Sequence, residues 1–268
     1  MLKITNLTKT YAGSGVAAVD NLNLEVPDGK IYGFIGPNGA GKSTTIKCIT
    51  GILSFESGSV TVDGKDLRSE PIAVKRQIGY VSDDHVLYER LTGMEFVNFM
   101  CDVFDVPTSE RKKRLDRYAD LFDLGRVLGD PIRSYSRGMK QKLNIIGALI
   151  HNPKLWVLDE PMTGLDPKSS YNLKQLMKEH TREGNSVFFS SHILDVVEKV
   201  CDKVGIIDHG KLVADCTVKE LHENNVSSSL EDLFIAITAD RTEDGFIVDN
   251  DGCKSETEGA SQGEREQK

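Results

Sequence analysis

The stretch GPNGAGKST at residues 36–44 contains the residue types that bind phosphate groups. It fits the pattern GxxxxGK[ST] and directly follows the apolar run IYGFI. In such a loop the backbone amides point at phosphate oxygens, the lysine adds a positive charge near the β and γ phosphates, and the serine hydroxyl can bind Mg²⁺. A purely structural glycine turn is the alternative, but an apolar strand before the loop and a helical stretch after it favour a nucleoside triphosphate site. The residues predicted to contact the nucleotide are Gly36, Pro37, Asn38, Gly39, Ala40, Gly41, Lys42, Ser43 and Thr44.

Two adjacent carboxylates end another apolar run, LWVLDEP. Asp159 could hold the hydration shell of Mg²⁺, and Glu160 could orient or deprotonate a water molecule. An acid at this position could also simply begin a turn. Glu160 is the more informative of the two, because a kinase must keep water away from the phosphate whereas a hydrolase must aim one at it. The pair therefore favours hydrolysis of the triphosphate.

Short apolar runs recur along the chain and predict the elements that position these residues. IYGFIG, IGYV, LWVLDE, SVFFSSH and VGIID indicate buried strands of a mainly parallel sheet with helices on its faces. The first thirty residues and SGSVTVDGKDL alternate apolar and polar residues around glycine turns, which predicts a smaller antiparallel sheet. Residues from about 88 to 150 have a helical pattern. The predicted fold class is α/β, with a small antiparallel β subdomain and an inserted α-helical subdomain.

Composition and charge limit the classes of protein that this chain can belong to. The chain has 268 residues, 39% of them hydrophobic, and no apolar run approaches the length of a membrane span. Its five cysteines form no CxxC pair, which argues against a disulfide framework or a zinc site. The net charge is −8, of which residues 240–268 contribute −5, so the body carries no strong basic charge for nucleic acid. We expect one domain over residues 1–239 and a disordered acidic tail over 240–268.

Further motifs stand at fixed places around the two carboxylates. YSRGMKQKL comes shortly before LWVLDEP, GLDP follows it, and SSH ends the next predicted strand. In this order the chain resembles the ATP-binding subunit, or nucleotide-binding domain, of an ATP-binding cassette (ABC) transporter over residues 2–238. The form Tyr-Ser-basic-Gly-Met resembles bacterial exporters of drugs, antibiotics or peptides. The resemblance implies a P-loop NTPase core that uses ATP and Mg²⁺.

The resemblance also implies roles for an aromatic residue and a histidine. Tyr11 stands where the family has an aromatic side chain that stacks on adenine, although it could instead cover the small sheet. His192 matches the histidine that contacts the γ phosphate, so it joins Glu160 as a predicted catalytic residue. A histidine after a strand can also be purely structural.

A third implied site is the signature loop, which in the family commonly has the sequence LSGGQ. Its counterpart here would meet the ATP held by a second subunit, through a serine hydroxyl and the backbone amides at a helix start. The alternative is a purely structural role, in which the serine only caps the helix. The basic residue and the methionine depart from the common glycine and glutamine, so the backbone role is the part that carries over. The residues concerned are Ser136, Arg137, Gly138 and Met139.

Two aspartates complete the predicted site residues. Asp83 stands where the family commonly has a glutamine that reaches Mg²⁺ and the membrane subunit, so it is either linked to the metal, with Ser43 and Asp159, or merely at the surface. Asp166 in GLDP would contact the partner subunit, and an aspartate before a proline also caps a helix well.

The resulting hypothesis is a motor subunit that hydrolyses ATP and drives a separate transmembrane permease from the cytoplasmic face of the membrane. It would close head to tail with an identical or homologous ATP-binding subunit, and it would dock the permease on residues 80–105 and the helical region. A soluble cassette ATPase acting on ribosomes or DNA shares the motifs, but such proteins usually have tandem cassettes or added coiled-coil or zinc insertions. A regulatory subunit that binds ATP without hydrolysing it is the other alternative, and the intact set of Lys42, Asp159, Glu160 and His192 argues against it.

Overall fold

The structure is a computed structural model, and it describes residues 1–13, 15–83, 88–223 and 229–239. The predicted acidic tail, residues 240–268, lies outside these ranges. The strands in chain order are β1 (Leu2–Thr10), β2 (Ala17–Val26), β3 (Ile31–Ile35), β4 (Ser57–Val62), β5 (Lys65–Asp66), β6 (Ile78–Val81), β7 (Leu155–Asp159), β8 (Ser186–Ser190), β9 (Lys203–Asp208) and β10 (Lys211–Thr217). The helices are α1 (Lys42–Ile49), α2 (Pro71–Lys75), α3 (Gly93–Val103), α4 (Thr108–Leu121), α5 (Arg137–Leu149), α6 (Pro167–Arg182), α7 (Leu194–Val200), α8 (Val218–Glu223) and α9 (Leu230–Ala239), with a 3-10 turn at Ile132–Ser134.

The larger sheet has the strand order β10-β9-β3-β8-β7-β6. Strands β9, β3, β8, β7 and β6 run parallel to their neighbours, and β10 joins the edge antiparallel to β9. Every residue of β3, β7 and β8 is buried, as expected for parallel strands that are covered on both faces. The five apolar runs in the sequence are these five parallel strands, so the prediction of a mainly parallel sheet is confirmed.

The smaller sheet has the order β2-β1-β4-β5, and all its neighbouring strands are antiparallel. Leu2 and Ile4 on β1 are buried, whereas Lys3 between them is exposed. This alternation gives one face to the core and one to solvent. The predicted antiparallel sheet, made from the first thirty residues and the stretch near residue 60, is confirmed.

Three helices, α3, α4 and α5, lie in the described part of the chain between β6 and β7. Helix α3 begins with a capping box, in which the Glu95 amide donates to Thr92 Oγ1 at 3.1 Å and the Thr92 amide donates to Glu95 Oε2 at 2.8 Å. Helix α5 buries Leu143, Ile146 and, just past its end, Ile150, which are apolar positions on one helix face. The limits of the helical subdomain (88–150) and of the whole domain (1–239) remain predictions.

Two further features concern the described part of the chain as a whole. Cys48, Cys101, Cys201 and Cys216 are free thiols. None of the helices in the described ranges has both the length and the apolar character needed to cross a bilayer.

The parallel strands bring the predicted site residues to one edge of the large sheet. Gly36 directly follows β3, Glu160 directly follows β7, and His192 comes two residues after β8. Since these three strands are parallel neighbours, their carboxyl ends lie side by side, at the edge where open α/β sheets bind ligands.

Candidate nucleotide and hydrolysis site

The loop between β3 and α1 needs glycine at both of its ends because other backbone comes very close. A β-carbon on Gly36 would lie 2.2 Å from the carbonyl oxygen of Ile207, and one on Gly41 would lie 2.4 Å from that of Ala18. Gly41 also has a φ of 111°, in the left-handed region that other residues avoid. The glycines therefore let the loop lie tight against β9 of the larger sheet and β2 of the smaller sheet.

Lys42 is held at the centre of this loop. Its ammonium donates hydrogen bonds to the carbonyl oxygens of Gly36, at 2.7 Å, and Pro37, at 3.0 Å. Burial lowers the pKa of Lys42, and the carboxylates of Glu160 and Asp159 oppose that shift. The side chain is thus a positive charge, held by the loop, that lines the same cleft as the two carboxylates.

One open cleft of about 380 Å³ joins most of the predicted site residues. The loop, the first turn of α1, the end of β7 and the end of β6 all contribute to its wall. Its lining residues are Tyr11, Ala18, Asn38, Gly39, Gly41, Lys42, Ser43, Thr44, Asp83, Asp159 and Glu160. Of the predicted loop residues, Gly36, Pro37 and Ala40 do not line the cleft.

Asp159 and Glu160 differ sharply in their surroundings. Asp159 is almost fully buried, and its Oδ1 accepts a hydrogen bond from the Ser190 hydroxyl at 2.7 Å. Glu160 has a φ of 47°, a left-handed conformation that costs a residue other than glycine about 1–3 kcal/mol. Its amide donates to Ser190 Oγ at 3.1 Å. The strained backbone turns the Glu160 side chain towards the cleft instead of along the strand.

His192 contacts Glu160 directly. Its Nδ1 lies 2.8 Å from Glu160 Oε2, and the histidine side chain is 65% exposed. The structure thus brings the two predicted catalytic residues together at the mouth of the cleft. Their roles in catalysis remain predictions.

Tyr11 stands at the rim of the cleft. Its hydroxyl lies 3.2 Å from Thr44 Oγ1, and the residue is 44% exposed. The ammonium of Lys9 lies 5.8 Å from the ring centroid, within cation–π range. An exposed aromatic face beside the phosphate-binding loop suits a stacking contact with a base.

The cleft also offers oxygen ligands of the kind that Mg²⁺ prefers. Ser43, Asp83 and Asp159 all line it, with hydroxyl or carboxylate oxygens. Among the described residues no group of three or more His, Cys, Asp or Glu side chains is placed to enclose a metal ion by itself. The donor set therefore fits a Mg²⁺ ion whose remaining ligands are phosphate oxygens and water.

The predicted signature loop lies elsewhere. Ser136 caps α5, where its Oγ accepts a hydrogen bond from the Met139 amide at 3.2 Å. Gly138 approaches the segment after β7 so closely that a β-carbon on it would lie 2.7 Å from the carbonyl oxygen of Gly164. None of the four residues of this loop, Ser136, Arg137, Gly138 and Met139, lines the cleft. A single chain therefore does not bring the two predicted halves of the ATP site together.

Asp166 has the capping role that one of the two sequence interpretations gave it. Its carboxylate accepts hydrogen bonds from the Ser169 amide at 2.8 Å and the Ser169 hydroxyl at 2.7 Å, at the start of α6. Lys142 Nζ lies 2.8 Å from it, and these contacts, that with Lys142 first, hold the pKa of Asp166 well below its usual range. The predicted contact with a partner subunit stays a prediction.

Two buried residues at the site were missed from the sequence. Ser190 contacts both Asp159 and Glu160, as described above. Gln141 on α5 is fully buried, and its Nε2 donates to the carbonyl oxygen of Pro161, directly after Glu160, at 3.0 Å. The repeated serine in SSH and a glutamine on the apolar side of a helix were the signals that could have found them.

Known proteins resemble this chain over most of its length. The sequence model of the ABC transporter family matches residues 19–163. The linearmycin resistance ATP-binding protein LnrL of Bacillus subtilis (strain 168) is 34% identical over 92% of this chain and 78% of its own length. The lantibiotic transport ATP-binding protein SrtF of Streptococcus pyogenes is 36% identical over 87% of this chain and 96% of its own length.

Solved structures of ATP-binding subunits share the fold. An ATP-binding subunit of an ABC transporter superposes with a TM-score of 0.84 at 32% identity, covering 89% of this chain and 99% of that one. The dimeric ATP-binding cassette MJ0796, in a post-hydrolysis state bound to ADP and Pi, superposes with a TM-score of 0.74 at 26% identity, covering 81% of this chain and 99% of that one. This chain therefore belongs to the ABC transporter family and is one of its ATP-binding ATPase subunits.

Proposed function

We propose that the chain is the motor subunit of an ABC exporter, which hydrolyses ATP and drives a separate transmembrane permease by closing head to tail with a second ATP-binding subunit. One observation carries the hydrolytic part of this proposal. The Glu160 carboxylate lies in the same cleft as Lys42 and is paired with His192 at its mouth. A site that only binds a nucleotide has no need of a strained glutamate aimed into it.

The roles of the residues follow from their positions. Lys42 and the amides at the start of α1 bind and stabilise the negative charge of the β and γ phosphates. Glu160 orients the attacking water and accepts a proton from it. His192 holds the Glu160 carboxylate in place and contacts the γ phosphate. Bound Mg²⁺, held through Ser43, Asp159 and, in our proposal, Asp83, would neutralise charge on the phosphates. Tyr11 stacks on the adenine.

A second subunit is needed to complete each ATP site. Ser136 and the amides of Arg137 and Gly138 form an exposed helix start that lies outside this chain's own cleft, and the amide of Met139, the next residue of the loop, donates to Ser136 Oγ. Such a start binds anions, so it suits the γ phosphate of an ATP held by another copy. The MJ0796 cassette is dimeric in its solved structure. ATP would then favour the closed pair, and loss of the γ phosphate would remove that preference.

The permease would dock beside α3. Tyr88, Met94, Phe99 and Val103 are exposed apolar side chains in this part of the chain, and the rings of Tyr88 and Phe99 pack edge to face at 5.6 Å. Exposed apolar residues that form a contiguous patch often mark a protein contact, whereas single exposed apolar residues are common on any surface. Two relatives are named for linearmycin resistance and lantibiotic transport, which favours an exporter of antibiotics or peptides.

Replacement of the glutamate tests the hydrolytic mechanism. Glu160→Gln keeps the size of the side chain but removes its basicity, so we expect the rate of ATP hydrolysis to fall by about 10²–10⁴-fold while ATP-dependent dimers accumulate. Glu25→Gln, at an exposed position on β2, is the matched control and should keep the wild-type rate. The proposal fails if Glu160→Gln hydrolyses ATP at the wild-type rate, or if ATP produces no dimer of that variant.

Membrane association separates the transporter from the two alternatives. The protein expressed with the membrane protein encoded beside it should enter the membrane fraction, and Phe99→Asp should reduce that association without changing ATP binding. A soluble ATPase or a regulatory subunit would remain outside the membrane fraction in both cases, which would contradict the transport part of the proposal.

A further inference from the structure

Ser190 is the last residue of β8 and lies between two strands that end at the site. It pairs with Asp159 on β7 and with Phe34 on β3, and it is fully buried. A hydroxyl in such a place must find partners within the protein, because an unpaired buried polar group is costly. Both of its partners are parts of the hydrolysis site.

The Ser190 hydroxyl makes two hydrogen bonds in opposite directions. It donates to Asp159 Oδ1 at 2.7 Å and accepts from the Glu160 amide at 3.1 Å. The first bond fixes the plane of a carboxylate that lines the nucleotide cleft. The second holds the backbone of Glu160, whose left-handed φ of 47° is intrinsically unfavourable for a residue other than glycine. One oxygen atom thus ties together two neighbouring residues with different tasks.

The same strand end holds Glu160 a second time. His192, two residues after Ser190, contacts the Glu160 carboxylate through Nδ1 at 2.8 Å. The backbone of Glu160 is therefore held by Ser190 and its side chain by His192, both from the segment at the end of β8. Removal of either contact leaves the carboxylate with fewer restraints than hydrolysis needs.

We propose that Ser190 is a positioning residue for ATP hydrolysis, which holds the Asp159 carboxylate and the Glu160 backbone in the arrangement that the reaction requires. The inference rests on the proposed function of Asp159 and Glu160. Ser190 itself does not line the cleft. Its loss should therefore affect the rate of the chemical step and the contribution of Mg²⁺ much more than the binding of the nucleotide itself.

Three variants test this inference in the full chain. Ser190→Ala removes the hydroxyl, and Ser190→Thr keeps it on a side chain that strands accept well. Ser186→Ala is the matched control, because Ser186 is also a fully buried serine on β8, but its hydroxyl donates to the carbonyl oxygen of Pro27 at 2.9 Å, at the other end of the strand. Each variant is measured for kcat and KM of ATP hydrolysis, and for binding of a fluorescent ATP analogue with and without Mg²⁺.

We expect Ser190→Ala to lower kcat by about 10- to 100-fold, as for a lost hydrogen bond to a charged group, with KM changed less than about threefold. Mg²⁺ should strengthen binding of the analogue at least about fivefold less in Ser190→Ala than in the wild type, while affinity without Mg²⁺ stays the same. Ser190→Thr should restore most of kcat, and Ser186→Ala should match the wild type in both measurements.

Several results would overturn the inference. Wild-type kcat and an unchanged Mg²⁺ effect in Ser190→Ala would do so, and so would an equal loss in Ser186→Ala, which would show general weakening of β8. If Ser190→Ala does not unfold cooperatively, Ser190→Cys takes its place, with the same expected loss because a thiol is a weak donor. A wild type that binds the analogue but hydrolyses no ATP would contradict the proposed function. The effect of Mg²⁺ on analogue binding, compared between the wild type and Ser190→Ala, would still test the role of Ser190.

Discussion

The glycines of the phosphate-binding loop differ in what an added methyl group would meet. Gly39 and Gly41 both have left-handed φ values, 82° and 111°, so alanine at either position carries a backbone penalty of about 1–2 kcal/mol. A β-carbon on Gly39 would have no heavy atom within 4 Å, whereas one on Gly41 would lie 2.4 Å from the carbonyl oxygen of Ala18. The two positions therefore form a pair in which the crowding at Gly41 is the main difference.

The crowding sets the size of the expected difference. Backbone that must move away from an inserted methyl group costs about 1–3 kcal/mol. We expect Gly39→Ala to lower the free energy of unfolding by about 1–2 kcal/mol and Gly41→Ala to lower it by about 2–5 kcal/mol. Gly36→Ala, which has the clash with Ile207, should fall between them at about 1–3 kcal/mol.

Urea unfolding without nucleotide measures these differences. Trp156 is the single tryptophan of the chain and is fully buried in β7, so its fluorescence reports on unfolding of the large sheet. The midpoint and slope of each transition give the free energy of unfolding. Equal destabilisation by Gly39→Ala and Gly41→Ala would refute the argument, because the close approach to Ala18 would then have no energetic consequence.

Two further predictions concern stability. Burial lowers the pKa of both His151 and His180 from 6.5 to about 4. As the pH falls, these histidines therefore bind protons in the unfolded chain before they do so in the folded chain. Their contribution to the free energy of unfolding is fully present above about pH 6.5 and is lost as the pH falls towards 4. Urea unfolding should show a loss of about 2 kcal/mol per histidine between pH 7 and pH 5, and His180→Gln should reduce that loss; a flat profile would contradict the argument. Asp166→Ala should lower the free energy of unfolding by about 1 kcal/mol through loss of the α6 cap to Ser169, whereas Asp166→Asn, which keeps a capping oxygen, should lose much less; equal losses would exclude a capping role.

The strands and the phosphate-binding loop could be predicted because their signals are local. A buried parallel strand is apolar throughout, as β7 is, and a tight loop at a phosphate needs its glycines and lysine at fixed spacing. Strand β10 was missed, because Lys211–Thr217 mixes charged and apolar residues at the edge of the sheet. The turn Asp208-His209-Gly210, in which His209 and Gly210 have left-handed φ values, was its available signal.

The contacts that organise the site could not be predicted, because they depend on which strands are neighbours. Ser190 meets Asp159 only because β8 lies beside β7 in a particular register. Gln141 lies in an amphipathic helical sequence, at a position that looks like an ordinary core position. Its neighbours along the chain give no sign that the carbonyl oxygen of Pro161 lies within hydrogen-bond distance. Asp83 had two open interpretations, and its position in the cleft wall supports the proposal of a link to the metal.

The first two turns of helix α5 contact the segment just after Glu160 at three places. Gln141 bonds to Pro161, Gly138 lies against Gly164, and Lys142 pairs with Asp166. These contacts connect Glu160, which would act on one nucleotide, to Ser136, which the chain would contribute to a second nucleotide in the proposed pair. In the proposed pair, a displacement of the segment after Glu160 on loss of the γ phosphate would therefore also move Ser136 at the other nucleotide.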